Sequence, residues 1–429
     1  MPKTSGLMVV TLFLCFVTAC SSGESKGNAA ESQLTVSSTI MSASEQQVFM
    51  GIVNDFEQES GIAVDVNFPG GTYERQMRIK MAANNMPDLF DTHGWAQNRY
   101  GNYIESLSEQ PWADRLEPSI KNVLTDDNGK LYAYPLNQAL DGISYNANIL
   151  EKYNISPPST FNEFKQALRT IDEKSNGKTT PFFIAETGTG SVNQYFGQMA
   201  TTLLTTDKQH NYQEELIHGV FDWSKYKPLA TDLKKMKERG WVNNNAATAD
   251  GAQAAQLMAQ NKIAFIFPGG AGGSFGQTVT SLNPNVQVGV IPIPSFHKND
   301  EPVWGGGERH TLALWKDSNK KQEARELLKF FSKEENAKSM AEATAAPTGF
   351  KNVKADTYYS EYYDQYSNIA VEPYFDRAYL PSGMWTIMGL TGQELLADTM
   401  SPEEVVNKME SEFHRLRETK GITKGESLD

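Results

Sequence analysis

The sequence predicts an α/β protein with two lobes. Strand and helix signals alternate from Gln33 onwards, which is the arrangement of βαβ units around a parallel or mixed sheet. A second series of the same kind begins near Thr160, and a chain of 429 residues is long enough for two domains. Two βα lobes, joined by more than one crossing of the chain, explain this order.

The N-terminus is predicted to be an export signal. Lys3 precedes an apolar run from Leu7 to Val17, which is too short to span a bilayer as a permanent helix. The segment Val17-Thr18-Ala19-Cys20 resembles a bacterial lipobox, in which the cysteine receives diacylglycerol and becomes the mature N-terminus. A chance Ala-Cys pair is the alternative. We therefore predict a signal peptide at 1–19, lipidation of Cys20 and a polar, flexible tether over 20–32.

Cysteine and charge counts narrow the possible functions. Of the two cysteines, Cys15 would leave with the signal and Cys20 would carry lipid, so no disulfide, cysteine nucleophile or cysteine-based metal site is expected. A net charge of −13 without basic clusters argues against nucleic acid and anionic lipid surfaces as partners. The six histidines have no metal-ligand spacing, and we expect no metal and no other cofactor.

The first predicted unit is a strand, a helix, a second strand and a second helix. The strand begins at Leu34. Ser42 to Glu45 has the pattern of a capping box, and apolar residues then line one helical face until Gly61. Strict alternation from Ile62 to Phe68 predicts a half-buried strand, and the next helix should end before Pro87.

Polar and aromatic side chains follow the next predicted strand. Leu89 and Phe90 form a short apolar segment that leads directly into Asp91, His93 and Trp95. Open α/β folds bind ligands at the carboxyl ends of their strands, so we expect these side chains to reach a crevice. The alternative is that Asp91 caps the following turn and that Trp95 belongs to the core.

The remaining predicted elements continue the alternation. They are short strands near Tyr134 and at 142–146, a helix opened by a Thr160-x-x-Glu163 cap, a strand at 181–185, helices at 225–239 and 251–261, strands at 263–267 and 286–292, a glycine-rich segment at 304–309 with a strand at 310–315, two helices up to Ala345, and a last helix opened by Ser401-Pro402-Glu403-Glu404.

A set of motifs runs through the mature chain in a fixed order. They are the lipobox at Cys20, Met81-Ala82-Ala83-Asn84-Asn85-Met86-Pro87-Asp88, Gly129-Lys130-Leu131-Tyr132-Ala133-Tyr134-Pro135, Tyr145-Asn146, Ala259-Gln260-Asn261-Lys262-Ile263-Ala264-Phe265 and Gly307-Glu308-Arg309-His310-Thr311-Leu312-Ala313. Together they resemble the family 1 extracellular solute-binding proteins, the sugar-capturing lipoproteins of ABC importers in Gram-positive bacteria. Within that family, the segments 88–95 and 371–377 look most like multiple-sugar binding proteins, which are associated with α-galactosides such as melibiose and raffinose.

The resemblance implies a periplasmic-binding-protein-like fold of type II, with the ligand between two α/β lobes. It also implies hinge strands near 142–146 and 305–312. We place the N-terminal lobe at 33–143 plus 310–350, and the C-terminal lobe at 144–309 plus 351–429.

Three tryptophans are candidate stacking platforms for a sugar. The C–H faces of a sugar lie on aromatic rings, while its hydroxyls need carboxylates and amides in a desolvated cleft. The chain has 7 Trp and 17 Tyr, and Trp95, Trp304 and Trp385 each stand close to a glycine. We expect two of these three to stack on the ligand; for each, a place in the core is the alternative.

The candidate polar partners also lie beside glycines, strand ends or helix starts. They are Asp91, His93, Gln138, Asp141, Glu308, Glu45 and Tyr73, with Gly270 in a loop where backbone would approach the ligand. Other roles stay open: a backbone bond for His93, turn caps for Gln138 and Asp141, an ion pair with Arg309 for Glu308, and a helix cap for Ser42 with Glu45. The run from Gly269 to Gly273 lacks the Gly-Lys-Ser/Thr ending of a phosphate loop.

These features and the resemblance predict a receptor and not an enzyme. The resemblance implies a monomer, lipid-anchored through Cys20 on the outer face of the membrane, that captures oligosaccharides such as melibiose, raffinose or stachyose and delivers them to ABC permease subunits. Three alternatives stay open: a receptor for isomaltose- or maltose-type sugars, a surface glycosidase that uses Asp88 and Asp91, and a metal or peptide receptor.

Overall fold

A computed structural model of the chain describes residues 33–187, 190–267 and 272–428. The predicted signal peptide, the tether with Cys20, and Gly270 lie outside the described residues. Within these ranges, every helix is too short or too polar to cross a membrane.

The strands are short and form three sheets. In chain order they are β1 (Leu34–Ser37), β2 (Val64–Asn67), β3 (Leu89–Phe90), β4 (Tyr134–Pro135), β5 (Gln138–Asp141), β6 (Ile143–Asn146), β7 (Thr180–Phe183), β8 (Ile263–Ile266), β9 (Val288–Ile291), β10 (Trp304–Glu308), β11 (Thr311–Leu314) and β12 (Val371–Pro373). The five-stranded sheet has the order β2-β1-β3-β11-β4, the four-stranded sheet β7-β8-β6-β9, and the three-stranded sheet β12-β10-β5.

Helices connect and cover these sheets. They are α1 (Ala43–Ser60), α2 (Tyr73–Ala82), α3 (Pro118–Leu124), α4 (Ala147–Tyr153), α5 (Phe161–Ser175), α6 (Ser191–Leu204), α7 (Gln213–Ile217), α8 (Lys227–Glu238), α9 (Gly251–Ala259), α10 (Gly272–Leu282), α11 (Lys321–Phe331), α12 (Glu334–Ala343), α13 (Ser360–Gln365), α14 (Phe375–Tyr379), α15 (Met384–Leu396) and α16 (Pro402–Thr419). Short 3-10 helices lie at Gly70–Thr72, Gly101–Tyr103, Ala113–Arg115 and Trp223–Tyr226.

The five-stranded sheet belongs to the N-terminal lobe. β1 pairs in parallel with β2 and β3, whereas β11 runs antiparallel to β3 and β4. Helix α1 buries one face, which follows the three- and four-residue spacing of Phe49, Ile52, Val53 and Phe56. The ring centroid of Phe49 lies 4.9 Å from that of Phe331 in α11. One hydrophobic core therefore takes its residues from 34–136 and 312–353.

The four-stranded sheet belongs to the C-terminal lobe. β7 is parallel to β8, and β6 is antiparallel to both β8 and β9. The larger core on this side takes its residues from 143–303 and 375–413. Helix α5 begins with the predicted capping box, in which Thr160 accepts from the backbone of Glu163 and the Glu163 carboxylate accepts from the backbone of Thr160.

The three-stranded sheet lies where the chain passes between the lobes. β10 pairs antiparallel with β5 and parallel with β12. A Cβ atom on Gly306 would lie 2.1 Å from the carbonyl oxygen of Ala139, so only glycine fits there. Gly307 has a φ of 106°, which also favours glycine. The glycines of the 304–309 segment thus serve close strand pairing.

The predicted α/β fold with two lobes is confirmed by these sheets and cores. The exact lobe boundaries stay a prediction. One local prediction is wrong. Among the described residues, the side chain of Ser42 forms no cap bond, because its hydroxyl pairs with that of Ser44 at 2.8 Å. Gln138 and Asp141 begin and end the strand β5, so the alternative role of a turn cap does not apply to them.

Candidate functional site

Asp91 joins three strands of the N-terminal lobe. The backbone N–H groups of His93 and Thr311 donate to its Oδ1 at 2.9 and 3.1 Å. Its Oδ2 accepts from the hydroxyl of Thr39 and lies 3.2 Å from Nδ1 of His310. The side chain is fully buried. Both carboxylate oxygens of Asp91 are therefore occupied by hydrogen bonds inside the N-terminal lobe, where the ends of β1, β3 and β11 meet.

Asp91 keeps its charge in spite of this burial. Burial raises the pKa of the carboxyl, but the hydrogen bond and positive charge of His310, with smaller effects of His93 and Thr39, outweigh it. The resulting pKa is about 2. Asp91 is thus an ionised structural centre at neutral pH.

Glu308 lies at the end of β10 in the hinge sheet, and its carboxyl group is hydrogen-bonded to the segment that follows Asp91. Its two oxygens accept from the hydroxyl of Thr92 at 2.8 Å and from the backbone N–H of Ala96 at 3.2 Å. Burial raises the pKa of Glu308 to about 7, although these two hydrogen bonds and the nearby Arg377 lower it. Unlike Asp91, Glu308 also lines a cavity.

That cavity lies in the cleft between the lobes and has a volume of about 410 Å³. The N-terminal lobe contributes residues within 94–98 and 119–123, and the C-terminal lobe contributes 371–374, Arg377 and Ala378. A volume of this order suits a small organic ligand held between two walls.

Tyr374 and Arg377 form the C-terminal wall of this cavity. The Tyr374 hydroxyl donates to Oδ2 of Asp141 at 2.6 Å, and the Arg377 guanidinium carbon lies 4.2 Å from the centroid of the Tyr374 ring. Burial raises the pKa of Asp141, while the bond from Tyr374 and the charges of Arg309 and Arg377 lower it. Asp141 therefore acts through Tyr374, which it holds in place.

A second cavity lies within the C-terminal lobe and also borders Glu372. It has a volume of about 660 Å³ and is bordered by residues within 205–213, 300–303 and 368–372. Glu372 borders both cavities. Burial and the neighbouring charge of Asp300 both raise the pKa of Glu372.

Direct contacts between the lobes lie beside the first cavity. The amide of Asn98 donates to the carbonyl oxygen of Arg377 at 2.6 Å, and Nη2 of Arg99 donates to the Ser382 hydroxyl at 2.8 Å. A Cβ atom on Gly94 would lie 2.0 Å from Nη1 of Arg377, so the guanidinium packs directly on that glycine. These contacts bring the 94–99 segment against the 377–382 segment.

The three predicted stacking tryptophans do not share one cavity. Trp304 is 1% exposed and packs against the rings of Tyr363 and Tyr366, in the core. Trp95 is 8% exposed, with the Arg99 guanidinium 4.4 Å from its ring centroid. Trp385 is half-buried and lines a narrow slot of the C-terminal lobe. Only Trp385 lies at a described cavity, so we keep it alone as a stacking candidate.

Four of the seven predicted polar residues form two groups. Glu308 lines the first cavity directly, and Asp141 acts behind Tyr374. Asp91 and Tyr73 are structural in this conformation, because Tyr73 is buried and its hydroxyl donates to the carbonyl oxygen of Asp91.

The remaining candidates lie in the N-terminal lobe or, for Gln138, in the strand β5 of the hinge sheet. His93 is half-exposed, with Nδ1 3.3 Å from Glu74, which also pairs with Arg99. Glu45 is partly exposed in the first turn of α1. The amide of Gln138 donates to the Ser119 hydroxyl at 2.7 Å. Their contact with a ligand stays a prediction.

Sequence reasoning missed four residues that border cavities: Tyr374 and Arg377 at the first cavity, and Asp376 and Gln198 at the narrow slot that Trp385 lines. The 371–377 segment carries the resemblance to sugar-binding proteins, and this signal could have pointed to the first three. Gln198 lies in the middle of α6, a helix that is buried along its whole length, and gave no comparable signal.

The chain is similar to known solute-binding proteins along most of its length. The family described as "Bacterial extracellular solute-binding protein" matches residues 42–338. The melibiose/raffinose/stachyose-binding protein MelE of Bacillus subtilis (strain 168) is 47% identical over 417 residues, which cover 97% of either chain.

Two solved structures are similar over nearly the whole described chain. A binding protein from Bacillus subtilis in an open conformation is 48% identical with a TM-score of 0.87, covering 91% of this chain and 98% of that one. A sugar transporter of Bacillus licheniformis in complex with stachyose is 48% identical with a TM-score of 0.80, covering 90% of this chain and 100% of that one.

Proposed function

This chain belongs to the bacterial extracellular solute-binding proteins, and we propose that it captures α-galactosides such as melibiose, raffinose and stachyose for an ABC importer. The observation that carries the proposal is the 47% identity with the Bacillus subtilis melibiose/raffinose/stachyose-binding protein along 97% of both chains. The similar structure that holds stachyose supports the same class of ligand.

The cleft has the chemistry that such ligands need. Glu308, Tyr374 and Arg377 bring a carboxyl, an aromatic ring and a guanidinium to one cavity, and Trp385 lies beyond Tyr374. Sugar hydroxyls bond to the first and third of these groups, whereas C–H faces pack on rings. A sugar that contacts both lobes would favour their closed arrangement, which is the form a permease would accept.

Catalysis is not part of the proposal. The carboxylates of a glycosidase must face the scissile bond. Asp88 accepts from Thr35 and from Ser318, and Asp91 is enclosed by Thr39, His93, His310 and Thr311. Both carboxylates are thus engaged within the N-terminal lobe.

The proposed location is the outer face of the cell membrane. Cleavage before Cys20 and its lipidation would tether a monomer near the permease, and raise its local concentration there. The protein recovered from the membrane fraction should begin at Cys20 and carry diacylglycerol on the Cys20 thiol, which mass spectrometry of the N-terminal peptide measures. A membrane-bound protein that begins at another residue, or whose Cys20 thiol is unmodified, would contradict the anchor.

The ligand class is tested by titrating the chain from Ser21 onwards with a panel of sugars. Tryptophan fluorescence and melting temperature should change saturably with melibiose, raffinose and stachyose, and not with lactose or xylobiose. A response to maltose or isomaltose instead would keep the receptor and replace the ligand class. Release of free galactose from raffinose on long incubation would show an enzyme.

A further inference from the structure

Two segments from different lobes touch at one edge of the cleft, beside the first cavity. Segment 94–99 packs on the N-terminal core through Trp95, which is 8% exposed. Segment 377–382 packs on the C-terminal core through Leu380, which is 1% exposed. Because each segment is fixed to its own lobe, a bond between the two segments joins the lobes themselves.

Arg99 is the centre of this contact. Nη2 of Arg99 donates to the Ser382 hydroxyl of the other lobe at 2.8 Å. Nη1 donates to the carboxylate of Glu74 in α2, and the guanidinium carbon lies 4.4 Å from the centroid of the Trp95 ring. The side chain of Arg99 is 15% exposed. The N-terminal lobe therefore holds the guanidinium in the position from which it reaches Ser382.

Glu74 keeps the negative charge that holds Arg99. Burial raises the pKa of Glu74, but the hydrogen bond from His93 and the charges of Arg99 and His93 bring this pKa below its ordinary value. One carboxylate oxygen of Glu74 lies 3.3 Å from Nδ1 of His93, and the other accepts from Arg99. Glu74 is thus ionised at neutral pH and orients the guanidinium by a charge-assisted hydrogen bond.

A second bond and a close packing contact support the first bond between the lobes. The amide of Asn98 donates to the carbonyl oxygen of Arg377 at 2.6 Å. Gly94 has a φ of 84°, and a Cβ atom there would lie 2.0 Å from Nη1 of Arg377. One effect opposes these contacts, because burial and the like charge of Arg99 lower the pKa of Lys420, which follows α16. We therefore expect a moderate net attraction between the lobes.

We propose that Arg99, fixed by Glu74 and bonded to Ser382, is the centre of a latch that holds the two lobes together at this edge of the cleft before a sugar binds. The effect of the latch on sugar binding rests on the proposed function. A latch of this kind raises the population of the arrangement that binds sugar, so it strengthens the binding of every ligand of the cleft by the same factor. A direct contact with the ligand, in contrast, favours one sugar over another.

The first test compares affinities in two latch variants and a control. Arg99→Met and Ser382→Ala remove the bond between the lobes, and neither residue is among those that line the first cavity. Arg325→Met is the control, because Arg325 pairs with Glu105 inside the N-terminal lobe. Calorimetric titration should show Kd values roughly 3- to 10-fold higher in both latch variants, by one factor for melibiose, raffinose and stachyose, and an unchanged Kd in the control.

Three results of this titration would overturn the latch. They are Kd values within twofold of wild type in both latch variants, tighter binding in either variant, and a factor that differs from one sugar to another. The double variant adds a further condition. In a chain that already carries Arg99→Met, Ser382→Ala should raise Kd no further, because the bond is already absent. Additive effects of the two substitutions would contradict a bond between these residues.

A second measurement needs no sugar. The chain from Ser21 onwards has no cysteine, so spin labels attach only to introduced cysteines, and Asn54→Cys in α1 with Glu238→Cys in α8 places one label on an exposed helix position of each lobe. In the unliganded protein, the distance between the labels should lengthen with Arg99→Met and stay the same with Arg325→Met. An unchanged distance in Arg99→Met would overturn the latch. If wild-type protein binds no α-galactoside, the proposed function fails, and this distance still decides whether the latch exists.

Discussion

At the scale of single residues, two buried carboxyl groups near the hinge have opposite electrostatics. Asp91 has several donors on each side and a pKa of about 2, whereas Glu308 has two donors and a pKa of about 7. Both are almost inaccessible to solvent. The number of hydrogen-bond donors and the nearby charges therefore decide the protonation state, because burial is common to both.

Asp91→Asn is expected to lower the free energy of unfolding at pH 7 by at least about 2 kcal/mol. This figure is the free energy that corresponds to lowering the pKa of Asp91 from its ordinary value of 3.8 to about 2. A lowered pKa in the folded state stabilises the protein above pH 3.8, and this contribution is lost as the pH falls toward 2. Urea unfolding of both proteins between pH 2 and 7 measures it. A difference that is the same at every pH would contradict the ionised centre.

The contribution of Glu308 to the free energy of unfolding should depend on pH in the opposite direction. Its folded-state pKa is raised, so its contribution to stability is complete below pH 4.5 and is lost as the pH rises through 7. Relative to wild type, Glu308→Gln is expected to gain about 3 kcal/mol between pH 4.5 and pH 8. Parallel stability curves for the two proteins over this range would show that Glu308 titrates normally.

The residue types alone could not predict that Asp91 has a lowered pKa and Glu308 a raised one. Asp91 was predicted as a ligand partner because it follows a strand at the carboxyl edge of a sheet, and its position there is as predicted. Which donors surround it depends on Thr39 and on His310, which come from distant parts of the chain. The same holds for Trp304, whose tyrosine neighbours lie about 60 residues further on.

At the scale of secondary structure, the sequence predicts helix starts well where the capping pattern is complete. Thr160 and Ser401 form full capping boxes with Glu163 and Glu404. Ser42 has a similar pattern, but its hydroxyl bonds to Ser44 instead. A local pattern therefore indicates a helix start without fixing which oxygen caps it.

Thr160→Ala is expected to lower the free energy of unfolding by about 1 kcal/mol, because it leaves a backbone N–H of α5 without its acceptor. Ser42→Ala is the matched control and should change stability much less, since its hydroxyl caps no backbone group among the described residues. Chemical unfolding of both variants measures the difference. Equal losses would show that Ser42 also caps its helix.

The hinge sheet depends on glycine at one position above others. Gly306→Ala is expected to lower the melting temperature strongly, because its Cβ would lie 2.1 Å from a backbone oxygen of the neighbouring strand. Gly51→Ala in α1 meets open space and should be neutral or stabilise by about 0.5 to 1 kcal/mol. Little change in Gly306→Ala would mean that β10 and β5 are less closely paired than described.

Several elements gave too little signal in the sequence. Strand β12 has three residues, and α14 has five. Neither length shows a clear hydrophobic period. Helix α6 is buried on every side, so it has no solvent-exposed face of the kind that marks an amphipathic surface helix. Tyr374 lies between β12 and α14, Arg377 lies in α14 and Gln198 lies in α6, so these residues were not singled out from the hydrophobic pattern.

At the scale of the whole molecule, the alternation of strands and helices was enough to predict the fold class. The order of βα units fixes which residues share a lobe, and the two largest cores follow that division. The cleft could not be predicted in the same way, because it forms where segments 94–99 and 371–382 approach each other across the hinge sheet. Such an approach depends on packing between lobes and leaves no periodic pattern in either segment.

The measurement that tests the central claim most directly is a calorimetric titration of the wild-type chain from Ser21 onwards with raffinose, followed by maltose under the same conditions. We expect saturable binding of one raffinose per chain and no heat of binding with maltose. Absence of saturable binding with raffinose would contradict an α-galactoside receptor, and equal binding of both sugars would contradict the selectivity that we assign to the cleft.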